Sequence, residues 1–202
     1  MPGSDSSLSL SCAVSTWNVA AMPGAAASAS GADAWVRAGR SEPADVHVVC
    51  LQEAVDIDSP VSYLSNPLVG WNASEAPDGL LEPLSTDVAA FETALRAMLP
   101  SHVLIAKKQL VGIVLFIFVK QQHAAACTAA RVAHIGAGPF GAGNKGAVAA
   151  SFRLYGTTVC FVCSHLPAGA KGVHTRLVTG RLVTARATLT RTHAAVICAL
   201  SS

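Results

Sequence analysis

Apolar and β-branched residues fall into short runs bounded by glycine, proline or polar turns, which is the pattern of β-strands. We predict strands at residues 8–19, 46–53, 102–107, 111–120, 146–154 and 157–165, with a tight hairpin at Tyr155-Gly156-Thr157 between the last two. The run LVGIVLFIFV, residues 110–119, is apolar at nearly every position. This is typical of a strand covered on both faces, and the run is too short to span a bilayer.

One helix is predicted by the spacing of apolar residues in STDVAAFETALRAML, residues 85–99. Ser85 or Thr86 can cap this helix, and Asp87 favours its first turn. A shorter helix is predicted around residues 31–41. The segments 21–31 and 56–84 are rich in proline, glycine, alanine and serine and are predicted to be loops. Strands separated by a helix and long loops predict an α/β sandwich.

Charge is distributed unevenly along the chain. Residues 1–92 carry all twelve acidic side chains and two of the fourteen lysines and arginines, a balance of −10, and residues 93–202 carry +12. Because no acidic residue follows Glu92, any carboxylate ligand in this sequence must come from the first half. The basic second half suits a polyanionic ligand, although drift toward alanine and arginine in a GC-rich genome is an alternative explanation of its arginines.

The six cysteines show no framework spacing, and most lie in apolar runs, which predicts buried free thiols in a reducing compartment. Cys160 and Cys163 form a CxxC pattern, but inside a strand their side chains point to opposite faces. The first residues lack a positive region and an adequate apolar core, so we do not predict a signal peptide. A cytoplasmic location is expected.

Asn18 and Glu53 lie near the ends of two predicted strands, in VSTWNVA and HVVCLQEA. A hard cation such as Mg²⁺ binds carboxylate and amide oxygens together with water, usually through one or two carboxylates. Glu53 with Asn18 beside it is the minimal form of such a site. A strand-end Asn or Glu can equally be a cap or a solvated turn. Gln52 is interpreted as a packing or hydrogen-bonding neighbour.

A second group of candidate residues lies in the basic half. The glycines of GAGNKGA allow backbone N–H groups to come close to an anion, and Lys145, next to Asn144, supplies a positive charge for phosphate. Ser164-His165 closes an apolar strand and precedes a PAGAKG loop, a setting in which catalytic groups are often presented. A plain glycine turn and a structural histidine are the alternatives.

Together, TWNVAAMPG, VVCLQEAVDI, AKKQLVGIVLFIFVK, GAGNKGAVAASF and CFVCSHLPAG resemble the inositol polyphosphate 5-phosphatases in order and approximate spacing. That family belongs to the Mg²⁺-dependent endonuclease, exonuclease and phosphatase superfamily. The resemblance therefore implies a deoxyribonuclease-like four-layer α/β sandwich. The likeness covers residues 10–172, and its GNKG loop and SHLxAG strand end are specific to the 5-phosphatase branch.

The resemblance also implies roles for individual residues. Asn18 and Glu53 would help to form the Mg²⁺ site, with Asn18 also among the catalytic residues. His165 would hydrogen-bond the scissile 5-phosphate and stabilise its developing charge. Asn144 and Lys145 would lie on the substrate side of the cleft. The family mechanism is in-line attack of water on the 5-phosphate, with Mg²⁺ as Lewis acid.

The sequence departs from the family after Gly172. The later motifs WxGDLNYR, PxWCDRIL and SDHxPV are not found, so we expect a sandwich that is incomplete at the C-terminus and a truncated form of the enzyme. Residues 173–202 are expected to be a divergent Thr/Arg-rich tail. Its arginines recur every five residues, a spacing that matches neither a helix face nor a strand face.

Three functions are compatible with the sequence. The leading one is a phosphoric monoester hydrolase acting on the 5-phosphate of a phosphoinositide or a soluble inositol phosphate, in the cytoplasm or peripherally at a membrane. The second is a non-catalytic fragment that binds anions or phosphoinositides. The third is a nuclease of the same superfamily, which the GNKG and SHLxAG motifs disfavour, so no nucleic-acid partner is expected. The oligomeric state stays open.

Overall fold

The computed structural model describes residues 8–22, 35–36, 41–56, 81, 84–137 and 145–166, together with the backbone of 194–201. This part of the chain contains the following elements: β1 (Cys12–Asn18), β2 (Val46–Gln52), α1 (Thr86–Met98), β3 (His102–Leu110), β4 (Ile113–Lys120), β5 (Cys127–Gly136), β6 (Gly146–Leu154), β7 (Thr157–Leu166) and β8 (Ala194–Ser201). A 3₁₀-helix, Gln121–Ala126, joins β4 to β5.

The strands form two four-stranded sheets, with the orders β1-β2-β4-β3 and β5-β6-β7-β8. The pairs β1–β2 and β7–β8 are parallel, and the other neighbours are antiparallel. An apolar layer that includes Val48, Ile117, Phe152 and Phe161 joins the two sheets face to face. Burial of this layer stabilises the fold.

Helix α1 covers the outer face of the first sheet. Phe91 and Leu95 of the helix share an apolar cluster with Leu51 of β2 and Phe116 of β4. Residues 113–119 of β4 are completely buried, since this strand has the helix on one side and the second sheet on the other. The prediction of a strand covered on both faces is therefore confirmed, as is the α/β sandwich.

The predicted strands and helix all form, and β3 extends to Leu110 rather than ending at 107. The hairpin at Tyr155-Gly156 is also confirmed, with both residues at positive φ. Sequence reasoning missed β5 and the 3₁₀-helix, because CTAARVAHIG is rich in alanine and has few β-branched residues. It also gave no account of the segment in which β8 forms.

Two sequence expectations fall largely outside the described residues. Of the helix predicted around 31–41, only Trp35 and Val36 lie in described helix. The loops predicted at 21–31 and 56–84 are also mostly outside. None of the five cysteines whose side chains are described forms a disulfide, and three of the five are buried. Cys160 and Cys163 lie in different apolar clusters on opposite faces of β7, as predicted.

In the part of the chain that the structure describes, no helix has both the length and the apolar character needed to cross a bilayer.

Candidate functional site

Asn18 and Glu53 lie at the same edge of the first sheet. Asn18 is the last residue of β1 and pairs in register with Gln52, which immediately precedes Glu53. The two strands are parallel, so their carboxyl ends meet at one edge. Beyond the strands the two segments stay together, since Val19 N–H donates to Gln52 O at 2.9 Å and Ala21 N–H donates to Glu53 O at 2.8 Å.

The backbone of Glu53 is held in an unusual conformation. Its φ is +53°, a left-handed value that costs a non-glycine residue about 1–2 kcal/mol. The turn between β3 and β4 packs directly against it, because Ala54 N–H donates to Gly112 O at 3.0 Å and a Cβ at Gly112 would lie 3.3 Å from Glu53 Cα. The adjacent β3–β4 turn thus fixes the backbone of Glu53, and with it the direction in which the side chain projects from the sheet.

Gln109 holds that turn in place. Its Nε2 donates to Val111 O at 2.7 Å and to Ser85 Oγ at 3.0 Å, and its Oε1 accepts from Ser85 N–H at 3.0 Å. Val111 also has a left-handed φ of +50°. Sequence reasoning did not single out Gln109. A polar residue next to a strongly apolar run was the available signal.

His165 reaches the same place from the second sheet. It is the penultimate residue of β7 and is 2% exposed. Its register partner is Gly146, the first residue of β6, so Lys145 immediately precedes the strand beside it. Lys145 Nζ contacts His165 Nε2, and Glu53 Oε1 lies 3.4 Å from the same nitrogen. Residues 53, 145 and 165, which are far apart in sequence, therefore meet at one edge of the sandwich.

Gly146 is required for this arrangement. Its φ is +152°, and a Cβ there would lie 2.1 Å from Ile135 O in the adjacent strand β5. Only glycine allows β5 and β6 to approach so closely. Ala137 N–H also donates to Lys145 O at 2.7 Å, which fixes the backbone that carries the lysine.

The local charges favour a neutral imidazole. Burial lowers the pKa of His165, the Lys145 charge lowers it further, and Glu53 acts in the opposite direction. The site thus combines one carboxylate, one buried imidazole and one cation.

Asn18 and Asn144 are the two remaining predicted site residues. Asn18 Oδ1 accepts a hydrogen bond from Ala20 N–H at 3.0 Å, which closes a local turn. The amide oxygen of Asn18 therefore already has one structural use. Asn144 lies outside the described residues.

The donor set fits a largely hydrated divalent cation. Among the described residues, no cluster of three or more His, Cys, Asp or Glu could hold a metal ion. The side chain of Glu53 is 38% exposed, so its carboxylate can bind a cation that keeps several waters. Mg²⁺ is commonly held in this way, by one or two carboxylates. Among the described residues, Glu53 with Asn18 beside it would hold such an ion.

Gln52 is the packing and hydrogen-bonding neighbour that the sequence predicted. It is completely buried, and its Nε2 donates to Thr16 Oγ1 at 3.2 Å and to Cys163 Sγ at 3.3 Å. Its Oε1 has no hydrogen-bond partner among the described residues. A buried, incompletely bonded amide directly beside Glu53 is uncommon.

Comparison with known proteins finds similar sequences. Human synaptojanin-1 is 34% identical over 140 residues, which is 68% of this chain and 8% of that protein. Type I inositol polyphosphate 5-phosphatase 8 of Arabidopsis thaliana is 30% identical over 197 residues, covering 83% of this chain and 39% of that protein. The chain thus spans less than half the length of either relative.

A solved structure shares the fold. The inositol polyphosphate 5-phosphatase domain of SPsynaptojanin, in complex with inositol (1,4)-bisphosphate and calcium ion, superposes with a TM-score of 0.63 at 24% identity. The match covers 85% of this chain and 44% of that one. The model of Endonuclease/Exonuclease/phosphatase family 2 matches residues 15–198, a range that continues past Gly172 and into β8. On this match, the chain belongs to Endonuclease/Exonuclease/phosphatase family 2.

Proposed function

We propose that this chain carries part of a Mg²⁺-dependent phosphatase site that acts on the 5-phosphate of a phosphoinositide or soluble inositol phosphate. The observation that carries the proposal is the meeting of Glu53, Lys145 and His165 at one edge of the sandwich. The relatives named as 5-phosphatases, and the inositol bisphosphate bound by the structural neighbour, support this choice of substrate. Residues 10–172 are proposed as the part of the chain that forms this catalytic domain.

Each side chain has a role that follows from its chemistry. Glu53, with Asn18, would hold the cation, which when bound supplies Lewis acidity toward a phosphate oxygen. His165 is buried and rigidly placed on a strand, so it can hydrogen-bond a phosphate oxygen with little loss of entropy on binding. Lys145 offsets the negative charge of the phosphate. Asn144, next to it in sequence, is proposed to contact substrate as well.

Phosphate release from a 4,5-bisphosphorylated inositol lipid, with and without Mg²⁺, tests this proposal. We expect Mg²⁺-dependent release that falls about 100-fold in Glu53→Ala and in His165→Ala, since each removes a group that stabilises the reacting phosphate. Glu42→Ala is the matched control, because Glu42 is exposed and lies outside the site. Turnover that is unchanged in both site variants would refute the assignment.

A second candidate function is Mg²⁺-independent anion binding without hydrolysis. It is favoured by the balance of +12 in residues 93–202 and by the lack of any carboxylate after Glu92. Binding of this kind should weaken steeply with salt and be unchanged in Glu53→Ala. Vesicles containing the same bisphosphorylated lipid separate the two functions, because strict Mg²⁺ dependence of binding would exclude the second. Both functions place the protein in the cytoplasm, with peripheral contact at a membrane surface.

A further inference from the structure

Gln52 lies directly below the candidate site, in the layer between the two sheets. It is the last residue of β2 and is 0% exposed. Side chains alternate along a strand, so Leu51 packs toward helix α1 while Gln52 points toward the second sheet. It is therefore a polar group in a layer that is mostly apolar.

The amide of Gln52 connects three strands. Its Nε2 donates to Thr16 Oγ1 on β1 at 3.2 Å and to Cys163 Sγ on β7 at 3.3 Å. Cys163 Sγ in turn donates to Leu51 O on β2 at 3.6 Å. One side chain thus joins both sheets through hydrogen bonds.

The three connected strands are those that end at the site. Thr16 lies two residues before Asn18 on β1, and Cys163 lies two residues before His165 on β7. A separation of two residues places each pair on the same face of its strand. The distance between the strand ends, and hence between Glu53 and His165, depends on how these strands are held just below them.

The stability of the core does not explain why this residue is a glutamine. Gln52 Oε1 has no partner among the described residues, and an unpaired buried amide oxygen is unfavourable. Exchanging the amide oxygen and nitrogen would still leave one group unpaired. A leucine of similar volume would fill the space without that penalty.

We propose that Gln52 is a positioning residue, which holds the carboxyl ends of β1, β2 and β7 at the spacing that a divalent cation and a phosphate require. This inference rests on the proposed function, because it concerns the same site. Gln52 does not touch the ligand and acts through Glu53 and His165.

The variant Gln52→Leu in the full 202-residue chain tests this role. We expect unchanged or higher resistance to urea, because Cys163 keeps its bond to Leu51 O and the half-buried Thr16 can bond to water. Calorimetric titration with Mn²⁺ alone should show affinity about 10-fold weaker than in the unmodified chain. In the ligand-free protein at constant pH, the ¹⁵N NMR signals of the His165 ring should move.

A pair of variants at Cys163 keeps the test valid if Gln52→Leu does not fold. Cys163→Ser retains an acceptor for the Gln52 amide, whereas Cys163→Val removes it. We expect the serine variant to bind Mn²⁺ like the unmodified chain and the valine variant to lose about 10-fold. Val48→Ala is the packing control, since Val48 lies in the same layer four residues earlier on β2.

The outcomes separate this inference from the proposed function. If the unmodified chain binds Mn²⁺ and Gln52→Leu matches it in affinity and in His165 signals, the positioning role is refuted. An equal loss of affinity in Val48→Ala would refute it as well, because packing alone would then explain the effect. If the unmodified chain does not bind Mn²⁺, the cation site of the proposed function fails. In that case the His165 signals decide: displacement in Gln52→Leu supports positioning, and unchanged signals refute it.

Discussion

The two ends of the sandwich carry polar clusters of opposite character. The Asp45 end, formed by Ser11, Asp45, Lys120, His123 and Tyr155, lies where β1 and β2 begin. The site end, formed by Asn18, Gln52, Glu53, Lys145 and His165, lies where the same strands finish. Both clusters are partly buried, and both contain charged groups next to a histidine. They differ in how completely their polar atoms are bonded.

At the Asp45 end the hydrogen bonds are nearly complete. Asp45 Oδ2 accepts from Ser11 N–H at 2.8 Å and from Ser11 Oγ at 2.7 Å, and Lys120 Nζ donates to Asp45 Oδ1 at 3.0 Å. His123 lies 3.5 Å from the same oxygen, and its Nδ1 is 2.9 Å from the Tyr155 hydroxyl. Burial alone would raise the pKa of Asp45, but the bonds from Ser11 and Lys120 outweigh it and hold the pKa well below its usual range.

At the site end the bonding is incomplete and the backbone is strained. Glu53 adopts a left-handed φ, and a cation contacts the imidazole of His165. Gln52 Oε1 and Ser164 Oγ are buried without hydrogen-bond partners among the described residues. Such features lower stability and persist where the surrounding structure enforces them. The comparison shows that hydrogen bonding is nearly complete at the Asp45 end and incomplete at the site end.

The largest effect is expected from Gly146→Ala at the site end. The new Cβ would lie 2.1 Å from Ile135 O at a φ of +152°, so both a clash and backbone strain would result. We expect a loss of about 4 kcal/mol in the free energy of unfolding, measured by urea denaturation. Gly156→Ala is the control for strain alone. Its φ is +84° with no atom within 4 Å of the added Cβ, so it should lose about 1–2 kcal/mol. Equal losses in the two variants would contradict the close approach of β5 and β6.

A smaller but clear loss is expected at the Asp45 end. Asp45→Ala removes a carboxylate that accepts hydrogen bonds from Ser11 and Lys120, so we expect a loss of about 2–3 kcal/mol in urea denaturation. Glu42→Ala, three residues earlier and exposed, should change the unfolding free energy by less than about 0.5 kcal/mol. Mn²⁺ affinity should stay unchanged in both. A large loss of affinity in Asp45→Ala would mean that the two ends are coupled.

The Asp45 end should also determine how the stability of the protein depends on pH. A carboxyl whose pKa is lowered by folding stabilises the protein above its unfolded value, near 3.8 for Asp45, and that stability is lost as pH falls toward the folded value. We expect the melting temperature of the unmodified chain to decrease once the pH is lower than about 4. The melting temperature of Asp45→Asn should decrease less over the same pH range. The pKa of Glu92 is also lowered, despite its burial, by Lys107 and Arg96, so part of the acid sensitivity should remain. Identical profiles for the two proteins would contradict this prediction.

The smallest effect is expected from removing single hydroxyl groups. Ser164→Ala deletes a buried Oγ for which the described residues offer no partner, so the free energy of unfolding should stay the same or rise by up to about 0.5 kcal/mol. Ser11→Ala deletes an Oγ that both donates to and accepts from Asp45, and should lose about 1 kcal/mol. A loss in Ser164→Ala as large as in Ser11→Ala would remove the contrast between the two ends.

Sequence patterns predicted the central strands because the apolar residues that these strands bury are consecutive in the sequence. In β4 nearly every residue is apolar, and in α1 the apolar residues recur at helical spacing, so each element could be read locally. Strand β5 was missed because an edge strand rich in alanine is held by its pairing with β6, not by its own preferences. The Asp45 end was missed for a similar reason, since its members are scattered from residue 11 to residue 155.

By itself, the sequence determined most of the element types, the sandwich class and the placement of Asn18, Glu53 and His165 at strand ends, because these depend on local periodicity and on turn residues. Only the tertiary structure decided that Glu53, Lys145 and His165 meet, since parallel pairing of β1 with β2 and the facing of two sheets are long-range events. It also decided that Gln52 lies beneath them with an unused oxygen. Whether a buried amide is satisfied depends on atoms more than a hundred residues away, and no local pattern records them.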